Sequence, residues 1–503
     1  PPPPPPPPPS FFFHADAGIR DPLWSRGLGD VYKRQTKIIA TLGPSTSSRD
    51  SIEMLIKEGA DVLRINFSHS THKEAKSLIN DIRKINEKLN TNTSILADLQ
   101  GPKLRIGNIK ANTSLDDGDK IEIETGKEFV GDRNKIYVDY KNLPSDIDIG
   151  EKVLIDDGKI ILRVTETNKK NKIHTEVIQG GELSSKKGFN LPNTEISQPA
   201  LTDKDIKDAI FSIKQSVDWI ALSFVRHESD IKSLIKLIEK NTDHRIPVIA
   251  KIEKPEGVKN IDDIMKHASG IMVARGDLGV EINAAEIPLI QKKLVDKAKK
   301  ARIPVIIATQ MMESMMESLN PNRAEVNDVA NSVMDGADAV MLSGETSVGS
   351  HPIEVVQTIS RIIAKVENSS LIALKHKHPR DYDSERFITK SICYYAAKVA
   401  NDTNAKAIST LTNSGYTAYQ ISSWRPKTHV LVFTSNKKIL TQLNLLWGVK
   451  AFYYNGTEST DTTVEEINKI AVENNYLQKD DKVINLTSMP IDKKGMVLSL
   501  IHI

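Results

Sequence analysis

The chain has 503 residues, enough for two to four domains. Its formal net charge of +3 gives no bulk attraction to nucleic acid or to an anionic membrane, so neither is expected as a partner. One cysteine, Cys393, excludes an intrachain disulfide and fits a reducing compartment, and no apolar run reaches the roughly 18 residues a membrane-spanning helix needs.

Residues 1–35 open with a proline homopolymer and carry neither a hydrophobic period nor a secretory pattern. They read as translated adapter sequence or a disordered arm outside the fold, and residues 498–503 (LSLIHI) read as similar in origin. From residue 36 a rhythm begins. Residues 36–43 (TKIIATLG) form a short β-rich run. Residues 48–60 have a serine and aspartate start, apolar Ile52, Leu55 and Ile56, and a glycine stop, which predicts a helix. Residues 61–68, a second helix and residues 94–100 continue the alternation.

The pattern then turns alternating and turn-rich over residues 104–199, with Asp-Asp-Gly and Gly-Gly marking tight turns. This predicts an inserted β domain, read as a β-barrel lid. Strands resume at residues 217–225, 246–253, 269–275, 303–311 and 338–345, with helices between them. Eight parallel-type strands alternating with helices is the (β/α)8 count, and an insertion after the third strand sits over the face where such barrels build active sites. The expected division is 36–103 and 200–370 for the barrel, 104–199 for the lid, and 371–503 for a C-terminal open α/β regulatory domain.

Residues 246–281 carry the densest chemistry. Two β-branched runs flank a helix expected over residues 255–267, with Ile261, Ile264 and Met265 on one face. The first run ends in Lys251 and Glu253. The second ends in Arg275 and Asp277, beside Gly276 and Gly279. Two carboxylates with a lysine and exposed glycine amides make a divalent-metal and anion site; the alternative is a salt bridge at a strand end. Met311, Met312, Met315 and Met316 have helical spacing and read as packing.

The strand ends RINFSHS, ADLQGPKLRIG, IAKIEKPEG, MVARGDLGVE, ATQMMESM and MLSGETSVG, in this order, closely resemble the pyruvate kinase family over residues 36–497. The resemblance implies transfer of a phosphoryl group from phosphoenolpyruvate to ADP with Mg²⁺ (Mn²⁺ as a substitute), in the cytoplasm, by a homotetramer. It implies that Glu253 and Asp277 hold the metal, that Lys251 meets the moving phosphoryl group, and that Arg64 clamps it. Thr309 would help protonate the enolate carbon through water, and the amides of Gly276 and Asp277 would receive the substrate carboxylate. His69, Arg105, Lys187, Ser343 and Glu345 match positions near the nucleotide phosphates or the site rim. Glu345 also reads as a helix cap, Lys187 as a solvated loop lysine, and His69 as a strand-end histidine with its bonds satisfied.

One departure stands out. Potassium-dependent members carry Thr-Lys-Gly-Pro-Glu after the third strand; this chain has Leu99-Gln100-Gly101-Pro102-Lys103. Lysine for glutamate resembles the K⁺-independent branch, where a tethered ammonium supplies the monovalent charge. Asn66, Ser68, Asp98 and Leu99 still match the K⁺-ligand positions. Thr412, Asn413, Ser414, Gly415 and Thr417 match the loop that holds an effector phosphate in sugar-phosphate-activated members. Tyr416 stands where many of those have arginine, and the loop at residues 488–495 reads as short, so weak or absent activation by fructose-1,6-bisphosphate is expected. Two other readings carry the same fold: a different metal-dependent phosphoenolpyruvate- or pyruvate-handling barrel enzyme, and a non-catalytic effector-sensing relative.

Overall fold

A computed structural model of the chain describes residues 34–192, 194–369, 386–456, 460–487 and 499–502. The repeated β-branched runs close into a parallel eight-stranded barrel: β1 (Lys37–Thr41), β2 (Val62–Asn66), β3 (Ser94–Asp98), β4 (Trp219–Leu222), β5 (Val248–Ile252), β6 (Gly270–Ala274), β7 (Val305–Ala308) and β8 (Ala339–Leu342). Each pairs with its neighbours in sequence, and β1 pairs with β8 to close the ring. Alternation sorts the side chains. Ile39, Val62, Leu96, Trp219, Ile249, Met272, Ile306 and Met341 fill the barrel. Ile38, Leu63, Ile65, Ile95, Ile220, Val248 and Ile307 face the surrounding helices. Each fully buried aliphatic chain of this kind contributes about 1.5–3 kcal/mol.

Local signals set the helix starts. Thr71 and Glu74 form a reciprocal capping box, as do Thr202 with Asp205 and Asn322 with Glu325. The helix expected over residues 255–267 divides into Pro255–Lys259 and Ile261–Met265, with Asn260 at the junction. Ile261, Ile264 and Met265 are buried as expected, and so are Met311, Met312 and Met315.

The inserted domain has its own core, from Leu104 to Ile196. Its strands alternate buried and outward residues with period two. The expected barrel takes the form of a six-stranded ladder, in the order Phe189–Asn190, Lys152–Ile155, Ile160–Thr167, Lys172–Gln179, Lys120–Glu124 and Lys135–Tyr137. A separate two-stranded ladder pairs Gly181–Glu182 with Ser114–Leu115.

The third domain stacks β9 (Ala407–Leu411), β10 (His429–Thr434), β11 (Val449–Tyr453) and β12 (Val483–Thr487) in parallel, in the order β11-β10-β9-β12. Residues Ser499–His502, placed outside the native fold by the sequence reading, pair antiparallel with β12 at the edge. Arg34 and Gln35 likewise fall inside the fold. Arg34 Nη1 lies 2.7 Å from Asp61 Oδ2, and Gln35 Nε2 donates to the carbonyls of Pro426 and Thr428. A buried carboxylate and buried carbonyls need donors, and these two residues supply them. The expectation for residues 1–33 lies outside the described residues, as does the loop at residues 488–495.

This domain plugs the end of the barrel opposite the charged strand ends. Leu445 joins the barrel-interior cluster, Trp219 Nε1 donates to Gln442 O at 3.1 Å, and Lys37 Nζ donates to Val449 O at 2.9 Å. Arg425 forks onto Asp338 at 2.9 and 2.7 Å and donates to Gly336 O at 2.9 Å. Both side chains of that ion pair are about as buried as the core, 3% and 4% exposed. Removing one partner of such a pair leaves an uncompensated buried charge. Arg425→Ala is therefore expected to destabilise the fold by about 3–5 kcal/mol in denaturant unfolding. An unchanged midpoint would show that the fork does not hold the domain to the barrel.

Candidate active site

The chemistry collects at the carboxyl ends of the strands, where the chain leaves the hydrogen-bonded ladder with polar side chains aimed inward. Lys251, on β5, is the centre. Its ammonium lies 3.1 Å from Asp98 Oδ1 at the end of β3, 3.0 Å from Glu253 Oε1, and 2.6 Å from Ser223 Oγ just past β4. Asp98 Oδ2 accepts from Arg64 Nε at 2.6 Å, and Arg64 Nη1 donates to Thr41 Oγ1 at 3.0 Å. Five successive strand ends, β1 to β5, thus meet in one polar lattice.

Burial sets the electrostatics. It works to lower the Lys251 ammonium, but Asp98 and Glu253 outweigh it and the pKa is raised. Burial works to raise Asp98, and Lys251 with Arg64 outweigh it, so Asp98 is lowered. Glu253 is raised by burial, with Asp277 adding like-charge repulsion against the attraction of Lys251. Lys251 and Asp98 are therefore a fixed ion pair.

Further contacts complete the rim. Lys103 Nζ lies 3.1 Å from Asp277 Oδ1. Glu253 Oε2 accepts from the Phe224 amide at 2.7 Å. Thr309 Oγ1 accepts from the Gly276 amide at 2.7 Å and donates to Ala308 O at 2.6 Å. The amide expected to receive a substrate carboxylate is thus held by threonine here. Phe224, Thr309 and Gln310 have φ of 54°, 69° and 53°. Left-handed backbone at a β-branched threonine is costly, and such strain gathers where side chains must be aimed.

The matched K⁺ positions are engaged within the protein. Asn66 Oδ1 accepts from the Ser68 amide, Leu99 O accepts from Ser223 Oγ at 2.7 Å, and both Asp98 oxygens face cations. The ammonium of Lys103 meets Asp277 and not these oxygens. His69 is lowered, by burial first and then by Arg105, Arg64 and Lys103 around it. Arg105 and Lys187 belong to the lid: Arg105 Nη1 donates to Lys186 O, and Lys187 pairs with Asp156 at 3.0 Å. Glu345 is buried, with its oxygens accepting from the Met312 and Ser343 amides, so it ties the ends of β7 and β8 together. In the third domain, Gly415 caps the helix Tyr416–Ser423 at φ 82° and its amide donates to Thr412 Oγ1. Asn413 O accepts from Asn436 Nδ2, Ser414 is exposed, Thr417 is buried, and Arg386 lies over the Tyr416 ring.

Two site residues escaped the sequence reading. Ser223 bridges Lys251 to Leu99, and Phe224 supplies the amide that orients Glu253. Their position at the end of β4 was the available signal.

Known proteins resemble this chain over most of its length. The family described as pyruvate kinase, barrel domain, matches residues 33–356, and the pyruvate kinase alpha/beta domain matches residues 390–501. The chain belongs to the pyruvate kinase family. It is 41% identical over 472 residues to pyruvate kinase of Corynebacterium efficiens, covering 94% of this chain and 98% of that one. It is 40% identical over 477 residues to the Geobacillus stearothermophilus pyruvate kinase, covering 94% and 80%. A crystal structure of a pyruvate kinase from Cryptosporidium parvum superposes with a TM-score of 0.86 at 33% identity, covering 94% and 97%. The chain is accordingly a phosphotransferase, and the barrel, added sheets and α/β domain are the pyruvate kinase fold.

Ser223 gives this site a direct test. Ser223→Ala deprives buried Lys251 of one acceptor and Leu99 O of its donor. It is expected to cost about 1–3 kcal/mol in denaturant unfolding. No change would mean that both groups find other partners.

Proposed function

We propose that this chain transfers the phosphoryl group of phosphoenolpyruvate to ADP at the strand ends beneath the lid, giving pyruvate and ATP. The observation that carries the reading is the Lys251 ammonium, buried and held between Asp98 and Glu253 beside the Arg64 guanidinium. Phosphoryl transfer asks for alignment and charge neutralisation more than for covalent help. Arg64 has Nε and Nη1 fixed by Asp98 and Thr41, which pre-orients the guanidinium for a phosphate. Lys251 meets the phosphoryl group as its bond to the enolate oxygen breaks and the bond to an oxygen of the ADP terminal phosphate forms. It then steadies the enolate charge left behind. The enolate carbon takes a proton by way of water ordered at Thr309, which completes pyruvate. The substrate carboxylate displaces Thr309 from the Gly276 amide and adds the Asp277 amide, and Gly276 leaves room for that approach.

Glu253 and Asp277 fit a divalent cation. Among the described residues no group of three or more His, Cys, Asp or Glu side chains is placed to enclose a metal. Two carboxylates alone suit an ion that keeps water and substrate oxygens in its shell, which is the habit of Mg²⁺, with Mn²⁺ able to substitute. When bound, that ion supplies Lewis-acid neutralisation of the substrate oxygens. His69, Arg105, Lys187 and Ser343 are assigned to the nucleotide side, with the lid arginine and lysine arriving as it closes; Glu345 shapes that side by joining β7 to β8.

Lys103 is assigned the role of the monovalent cation, so K⁺ is not required. The loop from Thr412 to Thr417 is assigned to an effector phosphate, with activation by fructose-1,6-bisphosphate expected to be weak or absent. Assembly into a homotetramer belongs to the same reading. Work in the cytoplasm follows from the same reading and suits the single buried thiol of Cys393.

The test is ADP phosphorylation by phosphoenolpyruvate with Mg²⁺, with and without K⁺. Equal activity is expected in both, and Lys103→Glu should make activity depend on K⁺. A K⁺ requirement in the unsubstituted chain, or a Lys103→Glu variant indifferent to K⁺, would contradict the assignment.

A further inference from the structure

The chain crosses between barrel and lid twice, outward after β3 and back before the helix Asp203–Lys214. One buried carboxylate touches both crossings. Asp205 has no exposed surface. Its Oδ2 accepts from the Thr202 amide at 3.0 Å and from the Thr202 hydroxyl, on the return crossing. Its Oδ1 accepts from the Gly101 amide at 3.0 Å, on the outward crossing. From sequence, Asp205 is only the third residue of a capping box. The bond to Gly101, 104 positions away, is not part of a cap.

The outward turn it grips is tight. Gly101 has φ 68°, and a Cβ there would stand 2.8 Å from both Ser223 and Phe224. Gly101 O then accepts from the Lys103 amide at 2.9 Å, and two residues after the gripped amide the Lys103 ammonium reaches Asp277. The return crossing has a second anchor, because the Arg226 guanidinium donates to the carbonyls of Ile196 and Gln198. Loss of Asp205 therefore leaves the return limb held and takes from the outward turn the bond at its Gly101 amide.

We propose that Asp205 is a positioning residue for phosphoryl transfer: by fastening Gly101 against the start of its helix, its carboxylate sets the reach of Lys103 to Asp277. The proposal rests on the reading that Lys103 serves the reaction. Lys103 leaves the backbone at the end of this turn, so a shift of the turn moves the point from which its ammonium reaches Asp277, and a displacement of about 1 Å at a site of this kind costs roughly a hundredfold in rate.

The test is a four-cornered comparison on the full chain: unsubstituted, Asp205→Asn, Lys103→Met and the pair together. The kcat/KM of ADP phosphorylation and the half-saturating Mg²⁺ concentration are measured for each. Asp205→Asn is expected to lower kcat/KM roughly ten- to a hundredfold when Lys103 is present, and by less than about twofold when it is methionine. It should also move half-saturating Mg²⁺ in the same direction as Lys103→Met, a shift that general loosening of the fold would not produce. Thr202→Ala, which trims the carboxylate's partners at the cost of one cap bond, keeps the fold and should show a smaller loss with the same dependence on Lys103. Equal losses with and without Lys103 would overturn the positioning role alone. A silent Lys103→Met would overturn the assignment of Lys103 and this proposal with it.

Discussion

The structure depends on a lysine ammonium held away from water between two carboxylates. Lys251 cannot be buried alone, because desolvating a charge costs far more than a single hydrogen bond returns. Asp98 and Glu253 make its burial tolerable, and Arg64 balances Asp98 in turn. These groups come from the ends of three strands, Arg64 from β2, Asp98 from β3 and Lys251 with Glu253 from β5, so the lattice forms only if the barrel closes in the correct register. The charge arrangement that suits phosphoryl transfer is therefore also a check on the fold.

Both outer domains serve that lattice from opposite ends. The third domain fills the far mouth of the barrel with Leu445 and fixes itself through the Arg425–Asp338 fork. With that end plugged by packing, the charged end is the one left for substrate. The lid joins the charged end through two crossings tied to buried barrel groups: Asp205 on Gly101 and Thr202, and Arg226 on Ile196 and Gln198. A third tie runs from Asn190 Nδ2 to Glu281 Oε1 at 2.9 Å, and Glu281 ends the helix Arg275–Glu281 that carries Asp277. Lid position and Asp277, the carboxylate proposed to hold the metal, thus share a mechanical connection. Glu281 is itself paired with Lys254 at 2.8 Å, which keeps its charge compensated.

Much of the barrel was legible because buried parallel strands must be apolar on both faces, and each such run ends where polar chemistry begins. Lys251, Glu253 and Asp277 stand out for that reason; the structure pairs Lys251 with Glu253 and sets Asp277 near enough to act on both through its charge. The residues missed were those whose local reading was complete without the site. Ser223 passes for an ordinary residue after a strand, and Asp205 for a cap. Their second bonds run to residues far away in the chain, which no local pattern encodes. The division of residues 255–267 at Asn260 is of the same kind, since the apolar spacing continues through the break. Arg34, Gln35 and the strand Ser499–His502 were set aside because their composition matched no periodic element; their places come from partners, namely Asp61, two carbonyls and the edge of β12.

The most direct measurement is the kcat of Lys251→Met for ADP phosphorylation by phosphoenolpyruvate, on protein shown by thermal unfolding to be folded. A buried, fixed positive charge at the point of transfer predicts a fall of about a thousandfold or more. A kcat within tenfold of the unsubstituted chain would contradict the central place given to this lysine.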